Sequence, residues 1–402
     1  MTDKSGILRR TLVGAACSAV LLAGCSSGNS GGSSTTTPSG SSGSLGSSAD
    51  PGTASSPTGD VSTQLDKFRQ TPTFTAPGPA ISVASLRGKR VFILPLSDNS
   101  FQRIVDDNIK AAVNAAGLEA TVYPTRGTAP ELAQAVSQAV DQKYDLIVLS
   151  SPDPKQLQPQ LRAAAQAGIP VISAHYYDIT STPAPACAGC AAGVVALEKA
   201  PFSLGGKLMA DWVIDNAKGG NINALVPVVS GMEPTPPMVA AIQKEFDTYA
   251  KNAKVKILNI PFSDFASNAL ANDIQASLSA DSGINYILPQ VDAMVPATVS
   301  ALQTAGRAGK VQIATYNGSP DVLRLVKDGG VGVDVGESPT YIGYATADTL
   351  LRVLLKQPVV DENTPVRVWD SSNIADAGNP ASFDKGYGTD FIAGFRALWG
   401  LT

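Results

Sequence analysis

Leu146-Ile147-Val148-Leu149-Ser150 is followed by a stretch from Pro154 to Ala167 and then by Gly168-Ile169-Pro170-Val171-Ile172-Ser173. The first and last pieces are short, apolar and rich in β-branched residues, which is how strands buried on both faces read. Between them, Pro154–Ala167 opens on a proline tolerated in a first helical turn and is closed by Gly168. A strand, a helix and a second strand in so short a run form a crossover unit, and crossovers join parallel strands.

The same unit repeats on both sides. Val91–Leu96 reads as a strand, and Phe101–Ala116 as a helix with Ile104, Val105, Ile109, Ala112 and Val113 at helical spacing. Gly117 stops that helix, Glu119–Tyr123 is the next strand, and Ala129-Pro130-Glu131 opens a helix to Gln142. The alternation pauses at His175–Gly193 and restarts. Helices are expected at Leu204–Ala217, Pro237–Ala250, Ala266–Ser279, Val295–Ala308, Pro320–Lys327 and Ile342–Leu355, with strands at Asn223–Val229, Val255–Ile260, Tyr286–Leu288, Val311–Ala314 and Gly332–Val335. Two successive series predict an α/β fold of two doubly wound parallel-sheet lobes. In such sheets a ligand binds outside the carboxyl ends of the strands, here in a cleft between the lobes.

Ahead of the lobes, Lys4, Arg9 and Arg10 lead into the apolar run Thr11–Leu22 and then into Leu22-Ala23-Gly24-Cys25. A charged start, a short apolar middle and small residues before a cut describe an export signal. The run is shorter than the roughly 20 residues a bilayer span requires. Leu22-Ala23-Gly24-Cys25 resembles the bacterial lipobox, which implies acylation of Cys25 (palmitate among the chains) as the new N-terminus. More than one acyl chain anchors durably, where a single one binds only marginally. An ordinary signal peptide with a cysteine beyond its end is the competing reading. Ser26 to about Gly59 is almost entirely Ser, Gly, Thr and Pro, a flexible tether with a reach of roughly 30–35 Å, followed by a short helix expected at Val61–Gln70 and an extended lead-in at Pro72–Pro79.

A net charge of −4 and a pI near 5.2 exclude nucleic acid as a partner, since that needs a basic face. Of the four cysteines, Cys17 lies in the signal, while Cys187-Ala188-Gly189-Cys190 sits in a Pro/Ala/Gly loop. Outside the cell that pair is expected as a disulfide pinning its loop rather than as redox chemistry. Zinc would need further ligands, and the only histidine is His175, so neither a metal nor a cofactor is expected. No Gly-x-Ser-x-Gly elbow, zinc-histidine spacing or P-loop is present, which argues against an enzyme.

Several local patterns resemble the periplasmic sugar-binding proteins of the ribose- and galactose-binding type, the type I solute receptors of ABC importers, over about Gly88–Pro365. Asp98-Asn99-Ser100-Phe101 follows the first strand, where the family has Asn-Pro-Phe. Ala167-Gly168-Ile169-Pro170-Val171-Ile172-Ser173 is similar to its fourth-strand entry, and Leu204-Gly205-Gly206-Lys207-Leu208-Met209-Ala210-Asp211 to a second-lobe helix start. Tyr316-Asn317-Gly318-Ser319-Pro320 resembles its aromatic-Asp-Gly-Thr-Pro turn, and Glu337-Ser338-Pro339-Thr340-Tyr341-Ile342-Gly343 a crossover that begins with Gln.

The resemblance implies a type I periplasmic binding protein fold with a three-crossing hinge, near residues 186–193, 337–338 and 366–367. Residues 1–24 are then the signal peptide, 25–70 the lipid-anchored linker and 71–87 a lead-in. The N-terminal lobe is 88–186 plus 338–366, and the C-terminal lobe 193–337 plus 367–402.

Ligand-binding candidates follow from loop position at strand ends: Asn99 and Phe101 after the first strand, His175 and Tyr176 after the fourth, and Gln290 and Asp292 after Tyr286–Leu288. The resemblance adds Asn317, which stands where the family has a ligand-binding Asp, and Glu337, which stands where it has a Gln. Phe101 also reads as a helix-start core residue, His175 as a structural hydrogen-bonder, Asn317 as a turn residue and Glu337 as a hinge-surface acid. Met232 and Glu233 are weaker candidates on a rim. The family's Asp-Arg pair is replaced by His175-Tyr176, and Pro237–Glu245 holds no arginine. The expected ligand is therefore a sugar or sugar-like solute, with an aromatic or cationic compound also open. The expected protein is a monomeric, lipid-anchored extracytoplasmic receptor that meets the membrane only through its anchor and delivers solute to an ABC permease. The alternative is a sensory receptor docking on a membrane signalling protein.

Overall fold

A computed structural model describes residues 57–184, 191–265 and 269–401. The expectations placed on Cys25, on the Cys187–Cys190 pair and on the export signal lie outside these residues. The described chain opens with α1 (Pro57–Arg69), which contains most of the short helix expected at Val61–Gln70 and starts four residues ahead of it, inside the stretch assigned as linker. Val61 and Leu65 explain this: four residues apart, both are buried against the second lobe.

The first sheet is built from β1 (Arg90–Pro95), α2 (Ser100–Ala115), β2 (Glu119–Val122), α3 (Ala129–Asp141), β3 (Leu146–Ser150), α4 (Gln158–Gln166), β4 (Val171–Asp178) and β5 (Val194–Ala200). Its strand order is β2-β1-β3-β4-β5, all parallel. β3 is buried at every residue and β1 at all but its first, as a sheet covered on both faces requires. Asn99 accepts from the Gln102 N–H at 2.9 Å and so caps α2.

The second sheet follows with α5 (Phe202–Ala217), β6 (Asn223–Val229), α6 (Thr235–Tyr249), β7 (Lys254–Ile260), α7 (Phe262–Phe265), α8 (Ala269–Ala280), β8 (Tyr286–Ile287), α9 (Val295–Thr304), β9 (Gln312–Asn317), α10 (Pro320–Lys327) and β10 (Val333–Glu337). Then come α11 (Pro339–Leu354), β11 (Val366–Asp370) and α12 (Asp390–Leu398). The order is β11-β10-β9-β8-β6-β7, parallel except for β11, which runs antiparallel to β10. No helix among the described residues is long and apolar enough to cross a membrane.

Three boundaries differ from the sequence reading. β5 pairs with β4, so the first passage to the second lobe falls at Pro201 rather than at residues 186–193. The return to β11 runs through residues 355–365, ahead of the expected 366–367. Residues after β11 do not stay in the second lobe: Phe391, Phe395, Leu398 and Trp399 of α12 pack with Val83, Tyr341 and Leu350 of the first. Among the described residues the chain thus passes between the lobes five times: from α1 to residue 74, from β5 to α5, from β10 to α11, from α11 to β11, and from β11 to α12. The outer passages were missed because the partners of Phe74 and Phe391, Tyr341 among them, are far away in sequence, and local spacing does not show which lobe a segment packs on.

Candidate ligand-binding site

β4 carries the central irregularity. His175 has φ +50°, a left-handed conformation that costs a non-glycine residue, and pairing with β5 slips between Ala174 and Asp178. Such a bulge re-aims side chains. Tyr176 and Tyr177 turn into the first lobe's apolar core, while the His175 ring reaches the second sheet.

There it meets Glu337, the last residue of β10, which is fully buried. His175 Nε2 lies 3.2 and 3.3 Å from the two Glu337 oxygens, and the Tyr316 hydroxyl donates to Glu337 Oε1. A buried carboxylate is tolerated only when its lone pairs are met, and here an imidazole and a phenol meet them. The His175 N–H donates to Glu198 Oε2 at 2.9 Å, and Thr364 Oγ1 donates to Glu198 Oε1 at 3.3 Å. Burial pushes the Glu198 carboxyl up to about 7 against the opposing pull of His175. Burial alone would lower the His175 pKa, but the Glu337 carboxylate outweighs it and holds the imidazole above its usual value. Burial and the same carboxylate push the Tyr316 hydroxyl well up.

Aromatic rings enclose this group from both lobes. Phe101, at the start of α2, lies 5.4 Å from the His175 ring and 5.6 Å from Phe383; Phe202, at the start of α5, lies 5.4 Å from His175 and 6.1 Å from Tyr316. The imidazole therefore stands between a phenylalanine of each lobe. Asn317, half-buried, ends β9 beside Gly336 with φ +135°. Its turn is held from below by two buried acids: the Ser319 N–H donates to Asp292 Oδ2 at 2.7 Å and the Gly318 N–H to Asp334 Oδ1 at 3.0 Å. Burial raises the pKa of both acids, and their mutual proximity raises that of Asp334 further.

Of the sequence candidates, the structure brings Phe101, His175, Asn317 and Glu337 together. The others take different places. Asp292 supports the Asn317 turn and also accepts from Thr315 Oγ1 at 3.1 Å. Gln290 accepts from the Val229 N–H at 2.8 Å and from Thr235 Oγ1 at 3.1 Å, tying the end of β6 to the start of α6. Asn99 is the exposed α2 cap. Tyr176 lies edge-on to Tyr177, the ring centroids 5.1 Å apart, and burial together with the Asp153 carboxylate raises its hydroxyl pKa. Glu233 of the second lobe pairs with Lys155 of the first at 2.9 Å.

Sequence reasoning missed Tyr316, Phe202, Glu198 and Phe383. Tyr316 was signalled by its place one residue before Asn317. Glu198 lies on β5, which falls between the expected pause at His175–Gly193 and the helix expected from Leu204, and Phe383 in an irregular C-terminal stretch.

Two mostly parallel sheets, with strand ends meeting on one buried polar group between aromatic rings, define a two-lobed cleft receptor. The chain belongs to the periplasmic binding protein domain family, whose profile matches residues 90–358. It is 25% identical over 269 residues to the ribose import binding protein of Salmonella typhimurium, covering 66% of this chain and 85% of that protein. It is 23% identical over 267 residues to the fructose import binding protein of Bifidobacterium longum, covering 64% and 77%. Among solved structures, an ABC transporter solute-binding protein of Agrobacterium vitis bound with α-D-tagatopyranose superimposes with a TM-score of 0.63 at 21% identity, covering 74% of this chain and 99% of that one.

Proposed function

We propose that the protein is an extracytoplasmic solute receptor that closes its two lobes on a sugar or sugar-like ligand and delivers it to an ABC import permease. The observation that carries this is the His175–Glu337 contact between phenylalanines of opposite lobes. Polar groups at such a junction pair the hydroxyls of a solute, and ring faces cover its C–H faces. The import proteins among its relatives favour transport over sensing. A membrane anchor through Cys25 belongs to the same reading, because a receptor serving a permease gains from being kept beside it.

Native mass spectrometry of what copurifies with the protein, then calorimetry against pentoses, hexoses and polyols, tests the ligand class. Failure of every such compound to bind the ligand-free protein would sink it. Loss of uptake of the identified solute on deleting the gene supports delivery, and retained uptake with loss of a cellular response turns the reading to sensing. Cys25→Ser is expected to abolish palmitate incorporation and release the protein from the membrane fraction.

A further inference from the structure

The segment ahead of β1 is held at both ends, by different lobes. α1 lays Val61 and Leu65 into the second lobe's core beside residues of α5 and β11. Its last residue, Arg69, pairs with Asp370 Oδ2 at 2.7 and 2.9 Å. The Arg69 carbonyl accepts from Arg367 at 3.1 and 3.2 Å and from Asn373 Nδ2 at 3.0 Å. A helix end whose carbonyl takes donors from two separate side chains is locked in place.

Five residues later the chain is bound to the first lobe. The Phe74 ring lies 5.2 Å from Phe395 and 6.4 Å from Tyr341. It sits over Gly394, where an added Cβ would run into the ring. Beyond it the Pro79 carbonyl accepts from Arg352 at 3.0 Å, and the Ile81 N–H donates to the Leu398 carbonyl at 2.8 Å. Between the anchors, residues 70–73 have no regular structure and run over two hollows of about 270 and 440 Å³. Pro72 lines both hollows, and the passages at Pro201 and Pro365 lie beneath. The segment is a bridge over the hinge with little packed under its middle. It also lies outside residues 90–358, the part that matches the family profile.

We propose that residues 57–87 form a strap that limits how far the two lobes separate. The span from Arg69 to Phe74 reaches at most ~17 Å however the lobes move. At this edge the strap adds a restraint from outside residues 90–358 to those of the short passages at Pro201 and Ser338. This restraint acts on the ligand-free protein and holds whatever the cleft binds, so its test is independent of the solute reading.

The test lengthens the strap without touching either anchor, by inserting Gly-Ser-Gly-Ser between Thr71 and Pro72 in the full chain. Spin or fluorescent labels at exposed Asp141 and Lys251, at the far ends of the two lobes, report the distribution of interlobe distances without ligand. The insertion is expected to shift the distribution to longer distances by several ångströms at an unchanged melting temperature. A second variant, Arg69→Ala with Phe74→Ala, should shift it the same way. An unchanged distribution in the lengthened, stably folded protein overturns the proposal, whether or not the double variant folds.

Discussion

Glu337 ends one strand and Tyr316 lies on its neighbour, and the tyrosine hydroxyl donates to the Glu337 carboxylate on which His175 also closes at 3.2 Å. One acid thus gathers groups from both sheets. His175 is the only histidine, so a single imidazole signal reports on this junction. In the native protein it should titrate above the ordinary value of about 6.5. Glu337→Ala removes the carboxylate that opposes burial, so the titration should move down, and the two stranded donors should cost about 1–3 kcal/mol of stability. An imidazole titration that does not move between the two proteins, followed by NMR, would contradict the arrangement.

Stability should decline as pH rises from about 5 to 8. His175 has a raised folded pKa, so its contribution is complete below about 6.5 and disappears as pH climbs through the folded value. Burial pushes both Glu198 and Asp106 up to about 7. Below that point the folded chain keeps protons the unfolded chain has already lost, so these groups also lower stability as pH rises. The melting temperature should fall by at least ~4 °C over this interval, with Glu198→Gln and Asp106→Asn each flattening the curve. A melting temperature rising toward pH 8 would count against it.

Gly205 lies in α5 directly over the Tyr316 ring, with no room for a side chain. Gly205→Ala should therefore displace Tyr316 and cost about 1–3 kcal/mol in thermal or urea unfolding. If Tyr316 is also part of the cleft's polar group, ligand affinity falls with it. A neutral result in both measurements would show that α5 can slide over the ring.

Asn317 and Tyr176 should separate cleanly. Asn317→Ala removes an amide that has no hydrogen bond to the protein among the described residues, and should weaken ligand binding by at least ~tenfold, 1.4 kcal/mol, at unchanged melting temperature. Tyr176→Ala empties a core position and should instead lower stability by about 3 kcal/mol. Calorimetry and unfolding on the same two proteins check this, and the reverse pattern would relocate the site.

Lys155 and Glu233 join the lobes at 2.9 Å, but with side chains 46% and 29% exposed. A pair this wet contributes about 1 kcal/mol at most. Glu233→Gln should change ligand affinity less than ~fivefold, and 1 M salt, with a screening length of about 3 Å, should erase the difference. An effect of a hundredfold that survives salt would make this pair a binding determinant.

The alternation of buried strands and helices was readable because it is local: Leu146–Ser150 and Asn223–Val229 are strands to the residue. Strand-end position singled out Phe101 and His175, and the family resemblance Asn317 and Glu337; the topology of the two sheets brings those positions to one place. What escaped depended on distant partners. Glu198 lies on a strand that exists only because β4 pairs with it, and Phe383 reaches Phe101 through a long irregular excursion. Tyr176 was misplaced for a similar reason: it read as following the fourth strand, whereas β4 runs on to Asp178 through a bulge near His175 that turns Tyr176 into the core.

α1 rests on the second lobe and α12 on the first, so the first and last of the described helices ride on opposite halves of the molecule. A donor fluorophore attached at α1 and an acceptor attached beyond α12 would move with different lobes. The receptor thus carries the layout of a biosensor in its native order, reading ligand out as energy transfer with neither lobe opened for an insertion.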